Sequence, residues 1–134
     1  MPTPIIVTDK GGNNVPQKTG CILSFPLTDY DKETPVPVSA ITAATMTLLI
    51  EGSGEVIGSH EDEDVRLNFN EDGIFEYYLS GDDNQIFSAK ELIDSETHVA
   101  VVHVTATGAE GELEVTRELW FKVDNQRHVP NATV

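Results

Sequence analysis

The sequence is poor in cysteine, in basic side chains and in long apolar runs, and each shortage excludes a class of protein. Cys21 is the only cysteine among 134 residues, so no disulfide can form within the chain. Its apolar surroundings at 21–27 favour a buried, unreactive thiol. The longest apolar stretch, around 46–50, is far too short to cross a bilayer. The first ten residues lack the segments of a secretory signal, so we expect a chain made in a cytoplasm.

The charges are strongly unbalanced, with 23 acidic and 8 basic side chains and a formal net charge of −15. Proteins bind phosphate backbones through Lys and Arg, so this balance predicts no binding to nucleic acid or to an anionic membrane. The same charge opposes self-association at low ionic strength. We expect a solvated acidic surface, and the alternative use of the charge is a protein partner with a basic surface.

Motifs for catalysis, cofactors and metals are also missing. The chain has no Gly-x-Ser-x-Gly elbow, phosphate-binding loop or dinucleotide fingerprint, so we predict neither an enzyme nor a cofactor site. No cysteine pair supports zinc, and His98 and His103 should point to opposite faces of one strand. The acidic run 61–64 and the pair Asp29 and Asp31 offer oxygen ligands to calcium. Adjacent carboxylates mostly repel one another and point apart, so we predict no metal site.

The clearest pattern that the sequence does contain is an alternation of apolar and polar residues over 111–123. Side chains alternate across a β-strand, so a period of two predicts a long strand with one face on a core. Two residues break the alternation: Arg117 on the apolar side, which should lie at a sheet end or pair with a carboxylate, and Trp120 on the polar side. The side chains predicted to face the core are Leu113, Val115, Leu119, Phe121 and Val123.

Several other segments have the composition of strands and are bounded by turn residues. About seven short strands, with turns at intervals of about ten residues, predict an all-β, antiparallel β-sandwich with at most one short helix. The strand over 97–107 is apolar on both sides and should be a central strand covered on both faces, joined to the last strand in a long hairpin. A jelly roll or a small barrel is the alternative. The other predicted strands are 21–27, 44–51, 55–58, 65–70 and 74–80, and the helical patch is 82–92.

The two ends of the chain lack periodicity, which predicts an extended N-terminal arm at 1–20, a sandwich at 21–125 and a tail at 126–134. The β-prone residues Ile5, Ile6 and Val7 are suited to add a strand to a sheet edge, either the domain's own or a partner's. Trp120 completes this set of candidate contact residues, because an exposed tryptophan can anchor a protein contact or stack on a sugar. Its alternative role is to cover a second layer of structure or pack under the arm.

The order of these segments resembles that of the small immunoglobulin-like virion proteins of tailed bacteriophages. The resemblance covers residues 20–125 and consists of strand spacing rather than a signature motif. The segments that carry it are 44–50, 73–80, the acidic turn 82–87, Glu96-Thr97-His98-Val99-Ala100 and 118–125.

This resemblance implies an immunoglobulin-like sandwich in a virion, made in the cytoplasm of a bacterial host. It implies a non-enzymatic structural role through contacts with other virion proteins of a larger assembly, in the tail, the baseplate or the capsid surface. It supplies no catalytic, cofactor or metal-binding residues. The alternative function is a carbohydrate- or receptor-binding β-sandwich module, for which Trp120 would have to be grouped with polar side chains.

Overall fold

The computed structural model describes residues 5–11, 13–60, 65–81 and 95–124, and most of these residues lie in β-strands. The all-β fold class predicted from the alternating patterns is confirmed. The strands are β1 (Ile6–Thr8), β2 (Asn13–Pro16), β3 (Cys21–Pro26), β4 (Ile41–Ile50), β5 (Val56–His60), β6 (Ile74–Leu79), β7 (Ser95–Gly108) and β8 (Gly111–Asp124).

The strands form two sheets, one with the order β1-β3-β6 and one with the order β2-β8-β7-β4-β5. Alternate side chains of both sheets enter one buried core, an arrangement consistent with a β-sandwich. The three-stranded sheet contributes Val7, Leu23, Phe25, Phe75 and Leu79. The five-stranded sheet contributes Met46, Leu48, Ala100, Val102, Leu119, Phe121 and Val123.

The sheets are not purely antiparallel, which corrects the sequence-based prediction. β1 pairs with β3 in parallel, and β2 pairs with β8 in parallel, whereas the other pairings are antiparallel. Parallel neighbours cannot be joined by a tight turn. The connection from β1 to β3 meets this requirement because it contains β2, which lies in the other sheet.

The structure also revises the interpretation of 1–20 as an arm outside the sandwich. The N–H of Ile22 donates to the carbonyl of Ile5 at 2.9 Å, and Val7 is fully buried in the shared core. The strand predicted at the N-terminus therefore belongs to the domain's own sheet. β2 was not predicted, because its sequence shows no alternation of apolar and polar residues. Val15 is its only apolar residue apart from the terminal proline.

The long hairpin of β7 and β8 is confirmed, with its register running from Ser95 opposite Asp124 to Gly108 opposite Gly111. The predicted inner face of β8 is confirmed as well, with four of its five apolar side chains buried and Val115 half-buried. Arg117 has the expected acidic neighbour: its Nε lies 3.8 Å from a carboxylate oxygen of Asp9. β7 differs from the prediction, because its outer side is only partly covered.

The segment 65–70 is not a strand. Val65 and Arg66 are helical, the next two residues form a turn, and Phe69 makes an isolated bridge to Phe75. Val65 and Phe69 are buried while Leu67 is exposed. Two successive turns, closed by hydrogen bonds from Asn68 to Val65 and from Phe69 to Arg66, bring residues four apart to the same side. The apparent alternation in this segment was therefore misleading.

Other helical structure in the described ranges is limited to a 3-10 turn at Val38–Ala40. None of the helices in those ranges is long and apolar enough to span a bilayer. The predicted helical patch 82–92 and the predicted tail 126–134 lie outside the described residues.

Candidate protein-contact surface

The outer face of the five-stranded sheet carries a line of apolar side chains that crosses four strands. Trp120 of β8 is opposite Val99 of β7. Val99 is in turn opposite Leu49 of β4, and Leu49 is opposite Val56 of β5. Residues directly opposite one another in antiparallel strands project to the same side of the sheet. We call these four residues, Trp120, Val99, Leu49 and Val56, the apolar row.

The ends of the apolar row are open to solvent and its middle is covered. Trp120 and Val56 keep 41% and 58% of their surfaces exposed, whereas Val99 keeps only 3%. Val99 is nevertheless not part of the core that the two sheets share. Val99 is thus almost fully buried on the outer face, between Trp120 and Leu49, and the most exposed side chains of the row are Trp120 and Val56 at its ends.

Acidic side chains lie at both ends of the apolar row. At one end, the indole Nε1 of Trp120 donates a hydrogen bond of 3.0 Å to Oε1 of Glu118. At the other end, the turn between β4 and β5 carries the exposed residues Glu51 and Glu55, and Glu55 directly precedes Val56. The hydrogen bond from Trp120 restrains the indole. The surface therefore has an aromatic anchor with a defined orientation and a charged rim.

A shallow depression of about 240 Å³ lies beside the indole. It is lined by Asn14, Thr97, Trp120, Phe121 and Lys122. The polar grouping around Trp120 that a sugar-binding module would need is therefore present in part, with an amide, a hydroxyl and an ammonium group next to one aromatic ring.

The structure does not bring the predicted contact residues together. Ile5, Ile6 and Val7 belong to the three-stranded sheet, and Trp120 belongs to the other one. Val7 is buried, and Ile6 faces outward opposite Ile22. Tyr78, another exposed aromatic residue, also lies on the three-stranded sheet.

Sequence reasoning missed Leu49, Val56 and Val99 as parts of a surface. The available signal was the apolar character of 97–107 on both sides, which we interpreted as complete burial. The register across four strands was needed to align Val99 with the other three members of the row.

A second polar feature lies in the core. His98 is completely buried, and its Nε2 lies 2.7 Å from Oε1 of the buried Glu96. The ring of His98 meets that of Phe121 edge to face, with centroids 5.6 Å apart. His103 lies on the opposite face of β7, where its Nε2 is 3.3 Å from Oε1 of Glu114. The predicted opposite orientation of the two histidines is therefore confirmed.

Burial lowers the pKa of His98 below its ordinary value of 6.5, and Glu96 only partly opposes this effect. The folded state therefore binds the proton less readily than the unfolded state does. The stability that this histidine contributes is complete above pH 6.5 and is lost as the pH falls toward its lowered pKa.

We therefore expect the free energy of unfolding of the wild type to fall below pH 6.5 relative to that of His98→Gln, by up to about 1.4 kcal/mol per pH unit. Urea unfolding of both proteins between pH 7.5 and pH 5 measures this difference, and the variant controls for the many surface carboxylates. Equal pH slopes for the two proteins would contradict the assignment.

The acidic residues considered as oxygen ligands for calcium stabilise turns where the structure describes them. Oδ2 of Asp29 accepts a hydrogen bond of 2.9 Å from the N–H of Ala109. Asp31 accepts bonds from the N–H groups of Glu33 and Thr34, and the bonds from Thr34 are the main reason why the pKa of Asp31 is lowered. The described ranges contain no group of three or more potential metal ligands. The acidic run 61–64 lies outside those ranges.

Comparison with known proteins does not place the chain in a family. No protein-family model matches it, and the curated proteins contain no match. Among solved structures, the chain is similar to the N-terminal domain of phage TP901-1 ORF48, with 12% sequence identity and a TM-score of 0.45. The similarity covers 90% of this chain and 94% of that chain. The function is therefore inferred from the residues and surfaces of the chain itself.

Proposed function

We propose that this chain is a non-enzymatic structural component of a phage virion that acts through protein–protein contacts. The observation that carries the proposal is the apolar row on the outer face of the five-stranded sheet. The virion context is supported by the resemblance of the strand succession to small immunoglobulin-like virion proteins. On this proposal the two sheets form an immunoglobulin-like sandwich, with the tail, the baseplate and the capsid surface all open as locations.

The composition of the row supports a role in a protein contact. Tryptophan is enriched among the residues that contribute most to binding, especially where polar groups surround it and exclude water. Trp120 meets this description, since Glu118 holds its indole and Lys122 lies beside it. Its ring loses little rotational freedom on binding because the hydrogen bond to Glu118 already restrains it.

The net charge of −15 supports other virion proteins as partners, in preference to nucleic acid or a membrane. A partner with a basic surface would relieve the repulsion among the carboxylates, and opposite charges would accelerate association.

The experiment is to count the copies of the chain in purified particles of the phage that encodes it, by quantitative mass spectrometry. We expect a fixed number of wild-type copies per particle and at least tenfold fewer copies of Trp120→Ala, because removing an aromatic anchor lowers affinity by about 2 kcal/mol. The matched control is Tyr30→Ala, which removes another exposed aromatic ring, in the loop between β3 and β4 and outside the row.

Tyr30→Ala should be incorporated like the wild type, and urea unfolding of both variants shows whether they are folded. Particles that lack the wild-type chain would contradict the proposed function. Normal incorporation of folded Trp120→Ala would contradict the role of the apolar row.

A second candidate, a carbohydrate-binding module, is favoured by the polar depression beside Trp120. Trp120 is the sole tryptophan of the chain, so its fluorescence reports directly on this depression. A saturable change of the fluorescence on titration with host cell-wall sugars would favour this candidate. A spectrum unchanged by the sugars, together with incorporation that depends on Trp120, would favour the structural role.

A further inference from the structure

We infer that the apolar row binds a protein surface on which an apolar protrusion lies between two basic groups at least about 14 Å apart. This inference rests on the proposed function and specifies the partner of the same surface. It is carried by the position of the carboxylates at the two ends of the row.

The length of the row follows from the sheet. Neighbouring strands lie about 4.8 Å apart, and Trp120 and Val56 are separated by three such spacings, or about 14 Å. The exposed carboxylates of Glu118 and Glu55 lie at these two ends, with Glu118 on β8 and Glu55 directly before β5. We call Glu118 and Glu55 the rim carboxylates.

The chemistry of the partner follows from this arrangement. An apolar group that contacts Trp120, Leu49 and Val56 would displace water from the accessible part of the row, and this would strengthen charge interactions at its ends. Basic side chains would match the rim carboxylates. Lys122 contributes one positive charge beside Trp120, so the partner should place a hydrogen-bond acceptor opposite the Lys122 ammonium group.

A second copy of the chain fits this surface less well. It would bring the same rim carboxylates and a further net charge of −15 to the interface. Like charges placed close together at an interface lower the affinity, and this repulsion disfavours binding of a second copy. A basic partner removes this repulsion, which makes it the occupant that the charges favour.

The test compares two double variants with the same change in net charge. Glu55→Lys with Glu118→Gln alters the rim, and the glutamine keeps a carbonyl oxygen that can accept the indole hydrogen bond. The control is Glu33→Lys with Glu110→Gln, at exposed positions in a loop and in the β7–β8 turn. Particles carrying each variant are washed at increasing salt concentration, and the copies retained are measured by mass spectrometry.

We expect salt to release the wild type and the control at the same concentration, and we expect about tenfold fewer copies of the rim variant at low salt. Charge contacts at a rim weaken as salt screens them, so the release of the rim variant should depend less on salt. Urea unfolding of each isolated variant confirms that the comparison is between folded proteins.

Three results would overturn the inference. If the wild type is absent from particles, the proposed function fails and the inference fails with it. If the wild type is present and the rim variant is retained like the control, the function stands and the basic partner is refuted. If the isolated chain self-associates with a concentration-dependent shift in Trp120 fluorescence, the occupant is a second copy.

Discussion

Replacement of Phe121 by alanine is expected to lower the free energy of unfolding by about 3–5 kcal/mol. Phe121 is 2% exposed and projects from β8 into the core that the two sheets share. β8 has β7 on one side and β2 on the other, so the surrounding backbone cannot readily collapse into the cavity. The loss of the edge-to-face contact with His98 adds to the effect. Urea unfolding followed by circular dichroism measures it.

The matched control is Lys122→Ala, on the next residue and the opposite side of the same strand. Lys122 is exposed, so its truncation should change the free energy of unfolding by no more than about 0.5 kcal/mol. Similar effects at the two positions would mean that the assigned faces of β8 are wrong.

Replacement of Gly73 by alanine is expected to destabilise the domain by about 3 kcal/mol, for two separate reasons. Gly73 has φ of 76°, where a residue with a Cβ is strained by about 1–2 kcal/mol. A Cβ would also lie 2.8 Å from the carbonyl oxygen of Leu27 and 2.9 Å from the backbone nitrogen of Val36. These are backbone atoms, so relief would require a shift of the strand end or of the loop.

Gly54→Ala separates the two reasons. Gly54 has a similar φ of 73°, but a Cβ there would meet nothing within 4 Å. We therefore expect only the conformational effect of about 1–2 kcal/mol at this position. The difference between the two variants in urea unfolding measures the steric effect at Gly73. Equal losses at both glycines would contradict the close packing of the turn against Leu27 and Val36.

The sequence alone was sufficient for features that depend on neighbouring residues. The inner face of β8 and the hairpin with β7 were predicted because the alternation of side chains follows from the extended backbone, and because 108–111 is a short turn. The opposite orientation of His98 and His103 follows from the same alternation.

Tertiary structure decided the features whose partners lie far away in the sequence. β2 has only Val15 to bury alongside its terminal proline and becomes a strand through hydrogen bonds to β8, more than 100 residues later. No local pattern distinguishes such an edge strand from a loop, since its backbone groups are satisfied by a distant neighbour. For the same reason the parallel pairings of β1 and β2 could not be predicted.

The candidate surface was likewise predictable only in part from the sequence. The position of Trp120 on the polar side of β8 was readable from the sequence, because it depends on one strand. Its alignment with Val99, Leu49 and Val56 was not, because it requires the registers of three strand pairs together. A shift of one residue in any of these pairs would move a side chain to the other face, so the row exists only in the folded sheet.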